Sequence, residues 1–187
     1  MNKLYIPALF LSLMLIAGAC GSSSSSSITN VVVPEWILNT PVDDDYFFGT
    51  GNTTSRDMSL AVTKSATEAR IEIAQQIEVK MSGMQRRFQE EVGLGENSEL
   101  LDQFTNAYKA VADETLVGSR IINQEIRQEG SIYRAFVLVE MPVGAASEAM
   151  MQRLRENENL YTRFRATEAF RDLERELEEY RDQRNRP

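Results

Sequence analysis

The longest regular pattern in the sequence is an apolar stripe that begins just after residue 60. Its members recur at spacings of three and four residues: Val62, Ala66, Ala69, Ile73, Ile77, Met81, Met84 and Phe88. This period predicts one amphipathic helix that is capped within Ser55–Ser59 and ends near Val92, before Gly93-Leu94-Gly95. Small residues at its start predict close approach to a sheet: Ala61, Ser65, Ala66 and Ala69. The opposite face is polar: Lys64, Glu68, Glu72, Gln75 and Gln76.

Alternating patterns elsewhere predict a small antiparallel sheet. The segments Arg120–Arg127 and Ile132–Met141 flank Glu129-Gly130, which is typical of a hairpin. The second strand is apolar on both faces, so we expect it to be central and covered on both sides. A third strand is predicted at Tyr46-Phe47-Phe48-Gly49-Thr50-Gly51. Its glycines lack the pattern of a nucleotide-binding loop, and close packing of a helix on the strand explains them.

The remaining periodic segments predict further helices. A second helix follows a cap at Asn97 or Ser98, with its apolar face formed by Leu101, Phe104, Tyr108 and Val111. From Val143 to about Arg184 the chain is helical throughout, with two opposed apolar groups. They are Met150, Leu154, Leu160, Tyr161 and Phe164 on one side, and Ala166, Phe170, Leu173, Leu177 and Tyr180 on the other. This segment therefore either breaks near residue 165 or has two apolar faces with two partners.

The predicted class is α+β: a small antiparallel sheet packed against a long helix, with a second helix and a long C-terminal charged helix. The last part of that charged helix has the spacing of an amphipathic or coiled-coil arm, although two heptads are fewer than a convincing coiled coil needs. Two alternatives remain for this arm, which spans residues 143–187. It folds back on its own domain, or it pairs with a second copy or a partner helix.

Composition limits the chemistry that is available. The 187 residues contain no histidine and one cysteine, and the net charge is −8. Nucleophilic pairs that need histidine and zinc sites built from histidine and cysteine are excluded, and the acidic balance argues against a nucleic-acid surface. The carboxylate pairs Glu90-Glu91 and Glu178-Glu179 are flanked by charge and predict solvated helix faces. Asp43-Asp44-Asp45 predicts a solvated turn. We therefore expect a protein that is not an enzyme, with no catalytic residue, metal or cofactor.

The N-terminus predicts export. Residues 1–19 carry an early lysine and the apolar run Leu4–Ala19, which as a helix would span ~24 Å and is short for a ~30 Å hydrocarbon core. The cysteine follows this run directly, and Ile16-Ala17-Gly18-Ala19-Cys20 resembles the bacterial lipobox, with Ala17 where leucine is usual. By this resemblance Cys20 is the lipidated position, and Gly21 after it favours the outer membrane. The alternative is ordinary cleavage that leaves a free thiol.

A serine run, Ser22–Ser27, follows the cysteine. Such a run buries no apolar surface, so residues 20–30 are expected to form a flexible tether between the lipid and the folded domain.

Several of these pieces occur in the order of a known family. The lipobox is followed by Pro34-Glu35-Trp36, by the strand ending in Gly49-Thr50-Gly51, by Glu68–Ile77 and by a hairpin ending at Tyr133–Met141. In this order the chain is similar to the LPP-twenty lipoprotein family of bacterial outer-membrane lipoproteins. The resemblance implies a non-enzymatic α+β domain at residues 31–142, lipid attachment at Cys20 and, for flagellar members, assembly around the motor. The charged arm after Pro142 is an addition to this pattern.

The resulting expectation is a membrane-anchored lipoprotein with a structural or assembly role in the cell envelope. Its predicted partners are the membrane, through acyl chains on Cys20, and either further copies of itself or an envelope protein, with the domain in the periplasm. One alternative is a ligand-binding lipoprotein with a pocket lined by Phe47, Tyr133 and Phe136. A second alternative is a regulator of an envelope enzyme, for which the tether's reach of ~18 Å is short.

Overall fold

The computed structural model describes residues 32–95, 99–115 and 118–185, without the side chains of residues 113–115. The predicted signal peptide, Cys20, the serine tether and the cap at Asn97 or Ser98 lie outside the described residues. The described residues from Val33 onward form one compact unit. Its elements, in chain order, are α1 (Glu35–Leu38), β1 (Tyr46–Ser55), α2 (Met58–Val92), α3 (Glu99–Thr115), β2 (Arg120–Glu129), β3 (Ile132–Pro142), α4 (Val143–Arg155), α5 (Glu158–Phe164) and α6 (Glu168–Asn185).

The fold is α+β, as predicted: helices pack against a three-stranded antiparallel sheet with the order β1-β3-β2. The central strand β3 is buried on both faces from Ala135 to Met141, which confirms the prediction made from its two apolar faces. One local prediction was wrong. The apolar run Val31–Val33 and the residues after it through Ile37 predict an extended segment. Pro34 is instead followed by the single helical turn α1, because the fixed φ of proline, here −57°, suits a helix start.

The long helix α2 has the predicted bounds. The side chain of Asp57 caps it by accepting a hydrogen bond from the Leu60 N–H at 2.7 Å. It ends at Gly93, whose φ of 67° favours glycine. Its apolar stripe from Ala66 to Phe88 lies in the core, with Val62 packed at the margin.

The β2–β3 hairpin turns at Gly130 and Ser131, one residue beyond the predicted position. Gly130 has a φ of 62°, and no described non-glycine residue has a positive φ. A two-residue loop with positive φ only at its first position is a type II′ turn, which matches the twist of the flanking strands.

The C-terminal segment is three helices rather than one. Of the two alternatives predicted for this segment, the structure has the break near residue 165, which lies between Phe164 and Glu168. A second break, at Glu156 and Asn157, was not predicted. Asn157 caps α5 by accepting a hydrogen bond from the Leu160 N–H at 3.0 Å. Asparagine is a preferred capping residue, so Asn157 was the sequence signal for this second break.

These helices fold back on the rest of the domain. Phe88 of α2, Phe104 of α3, and Phe164 and Phe170 of the C-terminal segment form one aromatic cluster with ring centroids 5.4–5.7 Å apart. Gly144 of α4 allows α6 to approach closely, since a Cβ there would overlap the side chain of Tyr180. The boundary expected after Pro142 therefore does not separate two units. Most of the apolar residues of the arm are buried within the chain, but Ala166, predicted as part of an apolar face, is exposed because it lies in the break between α5 and α6.

Candidate functional site

The residues proposed for a ligand pocket do not come together. Tyr133 and Phe136 lie on opposite faces of β3. Residues of a strand alternate between faces, and Phe136 is an odd number of positions, three, after Tyr133. Phe47 lies opposite Met141, on the face that α2 covers, and packs against the core. None of these three side chains lines the grooves found among the described residues. A single pocket cannot be lined by all three.

The free edge of β1 is closed by a row of polar side chains from α2. Glu72 Oε2 accepts from the Thr50 N–H at 2.7 Å, and Glu68 Oε2 accepts from the Asn52 N–H at 2.8 Å. Gln76 Nε2 donates to the Phe48 carbonyl at 2.6 Å. We call Glu68, Glu72 and Gln76 the edge-capping row. It satisfies three of the backbone groups that this edge strand otherwise offers to another chain.

The spacing of the row explains why one helix can cap one strand. Its members are four residues apart, a rise of ~6 Å along a helix, and their targets are two residues apart, ~6.6 Å along a strand. The two repeats therefore stay in step over three contacts. Sequence reasoning assigned these side chains only to a polar face. The available signal was their four-residue spacing beside the small residues that bring α2 against the sheet.

The opposite edge of the sheet, β2, is not covered in this way. The side chains of Arg120–Gln124 are exposed, and Ile121 and Ile122 are each 39% exposed. The helix α2 lies over β1 and β3 and hardly reaches β2. No hydrogen bond from a described side chain outside β2 reaches the outward-facing backbone of Gln124, Ile126 or Gln128.

Charged residues on β2 are paired, chiefly on the face opposite to α2. Arg127 Nη2 lies 2.5 Å from Glu125 Oε1, and its guanidinium stands 5.5 Å from the ring centre of Phe136. At the hairpin end, Arg134 binds both carboxylate oxygens of Glu129, at 2.7 and 3.1 Å. This hydrogen bond from Arg134 is the main cause that lowers the pKa of Glu129 below its ordinary value.

One polar cluster inside the helical layer contains a serine, a carboxylate and an amine. The Ser147 hydroxyl donates to Glu176 Oε2 at 2.7 Å, and Lys80 Nζ lies 2.6 Å from Glu176 Oε1. Ser147 is fully buried, so a substrate cannot reach its oxygen in this conformation. The arrangement ties α4 and α6 to α2 through satisfied polar groups and is structural.

One groove, of about 550 Å³, runs between α1, β1 and α2. It is lined by Ile37, Thr50, Gly51, Asn52, Glu68, Ile71, Glu72 and Gln75. Its two carboxylates, Glu68 and Glu72, already belong to the edge-capping row. The groove is open and polar rather than an enclosed apolar cavity, so it does not resemble a small-molecule site.

Within residues 32–95, 99–115 and 118–185, no group of three or more histidine, cysteine, aspartate or glutamate side chains is placed to hold a metal ion. Asp43, in the predicted solvated turn, instead accepts from the Asp45 N–H at 2.8 Å. In the same part of the chain, no helix has both the length and the apolar composition needed to cross a membrane.

In comparisons with known proteins, the sequence matches neither a family model nor a curated protein. The resemblance to the LPP-twenty lipoprotein family therefore stays a prediction from short motifs.

Proposed function

We propose that this protein is a non-enzymatic lipoprotein of the bacterial cell envelope with a role in assembly. Acyl chains on Cys20 hold it at the outer membrane, and the folded domain stands in the periplasm on the serine tether. The observation that carries this proposal is in the sequence. The apolar run Leu4–Ala19 ends directly before the only cysteine, and six serines follow after one glycine.

A lipid anchor accounts for a cysteine that has no partner in the chain. A lone cysteine in an exported protein is otherwise left as a reactive thiol. Two or three acyl chains hold a protein firmly, because each buried CH₂ contributes ~0.8 kcal/mol, whereas one chain binds only marginally.

The described surface supports assembly rather than chemistry. Ser147, Glu176 and Lys80 are residue types that also occur in catalytic sites. Here Glu176 binds both of the others between the helices. The outer edge of β2 is exposed from Arg120 to Gln124, and an open strand edge is a site for pairing with another chain. Either a further copy or an envelope protein could use it.

The test is the fate of Cys20→Ala in the native host. Cells are labelled with a palmitate analogue and fractionated, and the control is Ser22→Ala, which changes the tether and keeps the thiol. We expect the parent and Ser22→Ala to be labelled and recovered with outer membranes. Cys20→Ala should be unlabelled and released to the soluble periplasm. A parent chain without label, or a Cys20→Ala chain that stays in the membrane, contradicts the proposal.

A further inference from the structure

We propose that two copies of this chain pair antiparallel through β2, about a twofold axis at Ile126, to form one continuous sheet. The inference rests on the proposed assembly role and names its partner as a second copy. It follows from which backbone groups β2 leaves free, where its regular segment begins and ends, and how its charges are arranged.

The free backbone groups are identified by the hairpin. In a two-residue type II′ hairpin the flanking residues, Glu129 and Ile132, form a hydrogen-bonded pair. Because backbone groups alternate in direction along a strand, the N–H and C=O groups of Glu129, Arg127 and Glu125 then point toward β3. The N–H and C=O groups of Gln128, Ile126 and Gln124 point away from the sheet, and they are the groups that a further strand would bind.

The regular part of β2 has a defined centre. The hairpin turn limits it at Glu129, and a register shift limits it at the other end, where Ile122 has no partner on β3 and pairing resumes at Asn123. The midpoint of Asn123–Glu129 is Ile126. A twofold axis through this residue therefore uses the whole regular segment of both strands.

The charges of β2 fit this register. Each Glu125 lies opposite Arg127 of the second copy, in a pair without backbone hydrogen bonds, where side chains approach most closely. Within one chain Glu125 already binds Arg127, so the dimer would hold four charges that alternate in sign around a rectangle. If the axis is moved by one residue toward Asn123, Glu125 of one copy lies opposite Glu125 of the other. If the axis is moved by one residue toward Glu129, Arg127 of one copy lies opposite Arg127 of the other. Like charges directly opposite each other are destabilising.

The other edge of each sheet makes the assembly finite. In the paired sheet the outermost strands are the two copies of β1, and on each of them the edge-capping row already binds three outward groups, the Phe48 carbonyl and the N–H groups of Thr50 and Asn52. Because α2 makes few contacts with β2, none of the described helices stands between the two strands. The product is a closed dimer and not a fibre.

Cysteine crosslinking in the full-length chain tests the register. In the dimer the two Ile126 Cα atoms lie ~5.5 Å apart, within disulfide reach, while the two Gln124 Cα atoms lie ~13 Å apart. Under mild oxidation we expect Ile126→Cys to form a covalent dimer, and we expect single Gln124→Cys and Gln128→Cys variants not to. The Gln124→Cys/Gln128→Cys double variant should crosslink again, because these residues face each other across the axis. The parent chain controls for Cys20.

Charge reversal tests the pairing independently of disulfide geometry. In the Ile126→Cys chain, Glu125→Arg or Arg127→Glu alone should reduce the dimer about tenfold, since two attractive pairs become repulsive. The Glu125→Arg/Arg127→Glu chain restores opposite charges and should recover to within about twofold of the Ile126→Cys chain. Urea unfolding of each variant establishes that the monomer is folded.

The outcomes separate this inference from the proposed function. Absence of a dimer for folded Ile126→Cys overturns the pairing. The pairing is also overturned if Gln124→Cys crosslinks as much as Ile126→Cys, or if Ile126→Cys forms an adduct only with a different protein. It is overturned as well if the Glu125→Arg/Arg127→Glu chain does not recover the dimer. Palmitate labelling of the same samples reports lipidation separately. A Cys20→Ala/Ile126→Cys chain that still crosslinks keeps the dimer even where the lipoprotein proposal fails.

Discussion

The backbone oxygen of Ser65 in α2 lies only 1.9 Å from the position that a Cβ atom on Gly51 of β1 would occupy. Non-bonded carbon and oxygen atoms do not approach so closely, so the helix can lie at this depth only while position 51 has no side chain. Gly49 stands in the same relation to Ala69, at 2.0 Å. These contacts set the distance at which Glu68, Glu72 and Gln76 can reach the edge of β1.

Gly51→Ala should therefore destabilise the protein. The new methyl group forces α2 away from β1, and overpacking of this kind costs about 1–3 kcal/mol or more. Gly83→Ala is the matched control: position 83 lies within α2 with open space around it, and alanine there should stabilise by about 0.5–1 kcal/mol. Urea unfolding measures both. Equal effects of the two substitutions would show that the close approach does not determine stability.

Glu72→Ala should open the edge of β1. The Thr50 N–H loses its acceptor, and a hydrogen bond to a charged group contributes about 1.5–3 kcal/mol. We expect faster hydrogen exchange at Thr50 and loss of stability in urea. Glu78→Ala removes an exposed glutamate from the same helix and should leave exchange at β1 unchanged. Unaltered exchange at Thr50 in the Glu72→Ala protein would show that the edge is protected by something else.

Periodicity predicted those elements that a single local rule determines. The stripe of α2, the caps near Asp57 and Gly93, and the central position of β3 each follow from spacing or from a residue with a special conformational preference. The break at Asn157 was missed because the apolar period continues across it and only a cap marks it. The turn α1 was missed because a four-residue helix has no period to detect.

The edge-capping row could not be predicted from the sequence, because it depends on the depth and direction of α2 relative to β1. The direction in which the arm packs also depends on tertiary structure. Leu173 and Leu177 suit a coiled coil and a core equally well, and the polar residues around them do not distinguish the two. Gly144, which admits Tyr180, is the one local feature that favours folding back.

Leu173→Ala tests whether the arm belongs to the core. Leu173 is fully buried in the cluster shared with α2, so we expect a loss of about 2–5 kcal/mol in the free energy of unfolding. Leu38→Ala, at a leucine that is 65% exposed, is the control and should change stability by less than about 0.5 kcal/mol. If Leu173→Ala left stability intact and only reduced the size of an oligomer, the arm would serve association instead.

Asp172 should make the attachment of α6 to α2 dependent on pH. The hydrogen bond from Arg87, at 2.6 Å, is the main cause that lowers the pKa of Asp172 below its ordinary value of 3.8, and Arg175 adds to it. The folded state therefore favours the ionised carboxylate. This contribution to stability is complete well above pH 3.8 and is lost as the pH falls through the lowered pKa.

Asp172→Asn removes that dependence. Because both partners are partly exposed, we expect the variant to be less stable than the parent by only about 0.5–1 kcal/mol at pH 7. The difference should shrink below pH 3.8 and vanish once the parent carboxylate is protonated. Urea unfolding of the two proteins in a pH series measures it, with Asp182→Asn, at an exposed aspartate near the end of the same helix, as the control. A difference that stays constant through this range would mean that the amide disturbs packing and that the Arg87 interaction contributes nothing.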